Sequence, residues 1–254
     1  MSGLTARLRE PLRQRCDFSE VLATSWTGLS AREIAARPVY LIRDGKANLG
    51  DLFDIKGEPA GRIRFIGDLD HGARIGAGLT EGIVTVEGKT GEEAGMAMAG
   101  GVLEITGDAG PRAGAAPLGY KKGMTGGELI VRGSAGPEAG AGMRRGLLAI
   151  AGTAGAQTGL SMIAGTVVVF GPAGPDTGLW SKRGSVVALG AITPPMTYAY
   201  ACTYQPVHLR LLLTRLLDTY GLPVKRRHLT GAYRRYSGDL AELGKGEILA
   251  WTAA

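Results

Sequence analysis

Cysteine, histidine and aromatic residues are scarce in this sequence of 254 residues, which holds two cysteines, three histidines and 6% aromatics. Cys16 and Cys202 are too few and too far apart for a disulfide framework or a metal cage. A reduced, cytoplasmic setting is the expectation. His71, His208 and His228 show no ligand spacing to one another or to either cysteine, so no metal site is expected. No apolar run reaches membrane-spanning length, and the stretch from Met1 to Pro11 carries Arg7 and Arg9 without the apolar core of a signal peptide. Gly88-Lys89-Thr90 looks like the end of a phosphate loop, but the earlier glycine it requires would fall at Ile83, inside an apolar strand. No Ser/His/Asp set, no paired carboxylates and no dinucleotide fingerprint stand out, and no catalytic residue is assigned.

Glycine is what the chain has in excess, 42 residues, roughly a sixth of the total against a usual ~7%. Glycine does not recur at every third position, which excludes a collagen triple helix. Apolar residues sit at regular places between the glycines, which excludes a disordered linker. The net charge of +6 and pI near 9.4 favour acidic partners.

The glycines keep a period of nineteen: Gly133, Gly136, Gly140 and Gly146 return as Gly152, Gly155, Gly159 and Gly165, and again as Gly171, Gly174, Gly178 and Gly184, closing at Gly190. A fixed period near twenty marks a solenoid. Before each closing glycine lies a short apolar strand. Its second position reads Ile63, Val84, Leu103, Leu129, Leu148, Val167, Val186, and its fourth reads Phe65, Val86, Ile105, Val131, Ile150, Val169, Ala188. Side chains alternate across a strand, so both columns share the core face. One strand per repeat cannot bury that face alone, and stacking about 4.8 Å apart does so, as in a parallel β-helix. A further column, Leu79, Met98, Met124, Met143, Met162 and Ser181, reads as gap-filling core rather than a soft-metal stripe.

Two repeats are longer. The first gains two residues near Asp70-His71, and the third gains seven around Ala116 to Lys122, which predicts a loop projecting from a corner. The third strand position becomes apolar late in the stack, at Ile130, Ala149, Val168 and Val187. That strip needs a cover. It is either an interface with another chain or the seat of a helix predicted over 207–220, whose apolar face holds Leu209, Leu212, Leu213, Leu216, Leu217 and Tyr220 and which Gly221 and Pro223 end.

The flanks carry further signals. Leu4 to Leu8 alternates as an edge strand, Asp17 with Glu20 and Ser30 with Glu33 fit capping boxes of two short helices, and Pro38 stops the second. Val39 to Ile42 reads as a strand with Asp44-Gly45 as its turn, and Glu247 to Trp251 as a final strand. The expected organisation is an N-terminal flank over 1–60, the repeats over 61–190, and a helix-and-strand tail over 191–254. Arg144-Arg145 and Lys182-Arg183 occupy the same corner two coils apart, roughly 10 Å, with Lys121-Lys122 just upstream in the insertion. These six are the candidate site for a polyanion or an acidic partner.

The glycine coils resemble those of the large subunit of glutamate synthase and of the glycine-repeat (C-type) subunit of formylmethanofuran dehydrogenase. The stretches 4–10, 233–240 and 244–248 extend the likeness to the whole chain and to the bacterial form of that family, within the formyltransferase/hydrolase complex. The resemblance implies a right-handed parallel β-helix of about seven coils with a small α/β N-terminal segment and a C-terminal helix. It also implies a cytoplasmic scaffold that binds no cofactor alone and has neither metal nor catalytic residues, beside hydrolase, transferase and dehydrogenase-B-like subunits. Such a complex moves a formyl group from formyl-tetrahydromethanopterin to a methanofuran-type carrier and hydrolyses it to formate. The carrier's glutamate-rich tail is a candidate ligand of the basic corner, and neither nucleic acid nor membrane is expected as a partner. A subunit of a molybdenum or tungsten formylmethanofuran dehydrogenase, or a glutamate-synthase-like interaction module, is the alternative.

Overall fold

The structure, a computed structural model, describes residues 3–22, 26, 28–43 and 45–252. Ahead of the repeats come β1 (Leu4–Leu8), β2 (Cys16–Asp17), α1 (Ala31–Ala35), β3 (Pro38–Leu41), β4 (Gly45–Asn48), α2 (Leu49–Leu52) and β5 (Phe53–Lys56). The repeats hold β6 (Arg62–Ile66), β7 (Gly72–Ala73), β8 (Ile83–Glu87), β9 (Ala99–Ile105), β10 (Gly126–Val131), β11 (Leu147–Ile150), β12 (Thr166–Val169) and β13 (Arg183–Ala188). After them follow β14 (Ala199–Tyr204), α3 (Val207–Tyr220), α4 (Arg226–Thr230), β15 (Ala232–Gly238) and β16 (Lys245–Thr252).

The fold is mainly β and is dominated by a 12-stranded sheet in the order β14-β15-β16-β13-β12-β11-β10-β9-β8-β6-β1-β5. From β1 to β16 every pairing is parallel, and antiparallel strands close both ends. The register keeps like with like: Ile63 faces Val84, then Leu103, Leu129, Leu148, Val167 and Val186. Leu4 extends this column at one end and Ile248 at the other. All are buried. A second parallel ladder of single bridges joins Leu69, Thr90, Ala109, Ala135, Ala154 and Ala173, one residue per repeat. The methionine column lies between, fully buried from Leu79 to Ser181.

Two different constraints explain the four glycine columns. Gly140, Gly159 and Gly178 have φ of 72°, 72° and 82°, and Gly146, Gly165 and Gly184 have 92°, 100° and 98°, a region that Cβ sterics close to most residues. Gly171 is there for space instead: a Cβ on it would lie 2.5 Å from the carbonyl oxygen of Gly152. The amides explain why the gap is so small. Gly140 N donates to Ala113 O at 2.7 Å and Gly159 N to Ala139 O at 2.7 Å, while Glu138 N donates the other way, to Ala156 O, at 2.9 Å. Buried backbone groups must be paired, and here neighbouring coils pair them.

The N-terminal segment departs from expectation in two places. β1 is not an edge strand, because β5 covers its outer side in an antiparallel pair. Asp17 does not cap a helix: its Oδ1 accepts from Ser19 N at 2.9 Å in a turn, since β2 is already committed to pairing with β3 and β7. The two extra residues near His71 make that pairing possible. Cys16 N donates to His71 O, and β7 lies against β2. Ser30 and Glu33 form the predicted capping box of α1, and Pro38 opens β3. Asp44 lies outside the described residues, and Gly45 begins β4. The tail holds more than a helix and a last strand: β15 pairs antiparallel with β16 on one side and with β14 on the other.

Replacing Gly171 with alanine is expected to lower stability by about 1–3 kcal/mol or more through overpacking. Gly28→Ala, where a Cβ meets nothing within 4 Å, is expected to change it by less than about 0.5 kcal/mol. Chemical unfolding of both variants checks the difference.

Candidate functional site

Successive repeats from Met98 to Met162 turn a corner on a buried methionine whose carbonyl oxygen receives the next coil. Met124 O accepts from Arg144 N at 2.8 Å and Arg145 N at 3.1 Å, Met143 O from Ile163 N at 2.8 Å and Ala164 N at 3.2 Å, and Met162 O from Lys182 N at 2.8 Å. The stacking therefore puts Arg144-Arg145, Ile163-Ala164 and Lys182-Arg183 one above another on one edge. All four basic side chains are exposed. Lys121 and Lys122 are exposed as well, in a loop that shows Leu118 and Tyr120 to solvent at 72% and 74%. The loop lies against the same edge, since Lys121 O is 3.1 Å from where a Cβ of Gly142 would stand. Sequence reasoning missed one member: Lys245, exposed on β16, is the register partner of Arg183. Its signal is absent from the repeat because β16 arrives from the tail.

Compensation on this edge is sparse. Arg15, Arg64, Arg74, Arg112, Arg132, Arg215 and Arg235 are all ion-paired. On the candidate edge, among the described residues, Lys182 alone has an acid, Glu242 at 3.9 Å. Exposed cations that share no acid keep their field for an incoming anion.

The opposite treatment of charge appears along another column. Arg74, Glu93, Arg112 and Glu138 occupy equivalent left-handed positions, φ 61°, 60°, 62° and 58°. Arg74 Nη1 donates to Asp17 Oδ2 at 2.9 Å and Nε to Glu93 Oε2 at 2.7 Å. Arg112 Nε donates to Glu93 Oε1 at 3.3 Å, Nη1 to Glu138, and Nη2 to Ala116 O at 2.6 Å, which ties down the base of the insertion. The hydrogen bond from Arg74 to Glu93 holds the guanidinium above its ordinary pKa. The alternating signs at one repeat position were readable in the sequence and went unread because the glycines defined the pattern.

A groove of about 480 Å³ lies where the N-terminal segment meets the first repeats. Arg15 with Glu92, His71 with Asp70 at 3.1 Å, and Lys89 with Asp108 at 3.9 Å line it. The hydrogen bond from His71 keeps the Asp70 carboxyl below its usual range. Arg15 and Lys89 each face a carboxylate, and no serine or cysteine lines the groove. Among the described residues no cluster of His, Cys, Asp or Glu is placed to hold a metal. Burial pushes the Cys16 thiol pKa up, which leaves it protonated and a poor nucleophile.

The apolar strip is not an open surface for another chain, because this chain covers it. Ile130, Ala149, Val168 and Val187 are fully buried in a cluster with Leu209, Leu213 and Leu216 of α3 and with Tyr233 and Leu249. Leu217 stays 38% exposed on the helix's outer side. A polar clasp fixes α3: Arg215 and Tyr220 both reach Glu128, the tyrosine hydroxyl donating at 2.6 Å, and Arg132 Nη2 donates to Tyr220 O at 2.7 Å. Burial, then the bond to Glu128, raise the tyrosine's pKa.

These features define a glycine-repeat protein of parallel-stacked strands with a sealed interior and a sparsely compensated cationic edge. No family model and no curated protein matches the chain. It is similar to a chain in the crystal structure of the formyltransferase/hydrolase complex FhcABCD from Methylorubrum extorquens in complex with methylofuran, with 34% identity, a TM-score of 0.79, and 98% of this chain and 100% of that chain covered. The chain belongs to the family of formyltransferase/hydrolase complex subunits. No helix among the described residues is long and apolar enough to cross a membrane.

Leu213→Ala is expected to destabilise the protein by about 2–5 kcal/mol, the range for emptying a buried leucine site. Leu211→Ala, at a residue 67% exposed on the same helix, is expected to be near neutral. Thermal unfolding distinguishes them.

Proposed function

We propose that this chain is the glycine-repeat scaffold of a formyltransferase/hydrolase complex of one-carbon metabolism, and that it has no catalytic residues of its own. In this reading the complex takes a formyl group from formyl-tetrahydromethanopterin, passes it to a methanofuran-type carrier and releases formate. Formyl transfer and metal-assisted hydrolysis reside on sister subunits, and the complex works in the cytoplasm. The observation that carries the reading is the full-length likeness at 34% identity, which includes both flanks as well as the repeats.

The architecture suits such a role. We read the stack as a right-handed parallel β-helix of about seven coils over 61–190, with 1–60 and 191–254 as its two closing segments. The continuous parallel register and the second ladder of single bridges support that reading. Hydrogen bonds join each coil to the next, so the body is stiff along its length and presents side chains at a fixed spacing. The closed interior leaves the outer edges for work. Among the described residues, the edge formed by Lys121, Lys122, Arg144, Arg145, Lys182 and Arg183 has no ion pair apart from the long contact of Lys182 to Glu242. A glutamate-rich carrier tail or an acidic sister subunit fits that edge by charge. The FhcABCD structure contains methylofuran, which makes such a carrier the ligand to test.

Charge reversal at Arg144 and Arg145 in the assembled complex is expected to lower carrier retention roughly tenfold and to make what remains less sensitive to salt. Carrier content by mass spectrometry and assembly by native electrophoresis provide the readouts, and no change in either sinks the assignment of the edge. Recovery of the chain as a soluble lone monomer beside co-expressed sister subunits counts against the scaffold reading itself.

A further inference from the structure

The last corner of the stack breaks the rule that its predecessors keep. Except at Gly123, beside the insertion, the residue just before the buried methionine column takes a left-handed conformation, with φ 66° at Gly78, 55° at Ala97, 69° at Gly142 and 54° at Ser161. Small residues suit it, because a side chain in this conformation crowds the backbone at about 1–2 kcal/mol. At the final coil the position holds Trp180, φ 59°. Packing within the chain does not call for a tryptophan there, since it is 51% exposed. Strain kept without internal benefit points to use outside the chain.

The surroundings are built to hold this residue outward. Trp180 N donates to Oδ2 of the fully buried Asp239 at 2.7 Å, and Oδ1 of the same carboxylate accepts from Ala241 N at 2.9 Å. Asp239 thereby fixes the loop that shows Leu240 and Leu243, 62% and 54% exposed. Leu240 N donates to Thr197 O at 2.9 Å, which brings Met196 alongside with its side chain wholly in solvent. Four large apolar side chains from three chain segments thus share one end of the molecule. The uncharged edge strand β14, almost entirely exposed, adjoins them. Tryptophan-centred apolar patches of this kind characterise the cores of protein interfaces.

Charge identifies the occupant. Lys182 and Arg183 follow Trp180 after the buried Ser181, Lys245 is the register partner of Arg183, and Glu242 offsets one of these cations at 3.9 Å. Two copies meeting on this surface would set like charges together, since a two-fold contact presents the same patch from both sides. We propose that this end surface is the docking site for a sister subunit, and that Trp180 enters an apolar depression on that subunit rimmed by aspartate and glutamate. The inference rests on the reading of the chain as one member of a multi-subunit complex.

The test is titration of the full chain against its own sister subunits, comparing wild type with Trp180→Gly and with Leu240→Ser/Leu243→Ser. Glycine relieves the backbone, so Trp180→Gly is expected to leave the unfolding temperature unchanged or raise it. The same variant is expected to weaken assembly about thirtyfold, and wild-type affinity is expected to fall with added salt. Assembly of the wild type together with unchanged affinity of both variants overturns the docking site and leaves the proposed membership of the complex standing. Failure of the wild type to assemble defeats both. Loss of self-association in place of heteromeric assembly assigns the surface to a second copy, and likewise overturns the proposal.

Discussion

The fold depends on how closely one coil's backbone can approach the next. Amides and carbonyls must pair around the whole circumference of each coil, and several of the bonds that achieve this run at 2.7 to 2.8 Å. At such separation a methyl group on many of the facing residues has nowhere to go. Glycine is therefore distributed by geometry: at some corners it supplies a rare dihedral, and at others it supplies only space. Given that backbone, the apolar columns need little further specification, because the alternation of a strand and a fixed register send the same position to the core every time. The core is a consequence of the stacking as much as its cause.

Charge is then divided between two sides of the same body. At the left-handed positions of Arg74, Glu93, Arg112 and Glu138 the chain alternates arginine with glutamate, and each charge finds its partner one coil away. Such pairs near the surface contribute little each, and their value lies in the network and in the nearly buried Glu93, which one missing arginine would leave half-satisfied. Along the methionine corners the chain makes no such provision. The difference between these two columns, more than the net charge of the whole, identifies the edge available to an anion.

How far this was legible in the sequence varies by region, for physical reasons. The columns from Ile63 to Val186 and from Phe65 to Ala188 were readable because a strict period leaves one register. The cap of α1 and the end of α3 were readable because both depend on neighbours in the chain. The basic corner was readable as a spacing, whereas Lys245 was not, because its neighbour Arg183 lies far off in sequence. The strip at Ile130, Ala149, Val168 and Val187 showed that it needed a cover, and tertiary structure supplied the choice of α3. Asp17 illustrates the limit. Its local signal for a helix start is genuine, but long-range pairing of β2 with β7 takes the residue for a turn.

The two ends of the large sheet differ in a way that limits what the isolated chain can form. β5, at one end, exposes Asp54 and Lys56, and Arg9 pairs with the aspartate at 3.1 Å. A strand edge guarded by charge resists the approach of another strand. β14, at the other end, reads Ala-Tyr-Ala-Cys-Thr-Tyr and carries no charge at all. Growth by edge pairing needs two receptive ends, and this sheet offers one. Strand addition therefore cannot propagate from chain to chain, and the open edge that would seed a fibre in a symmetric solenoid is left here with room for a single partner strand.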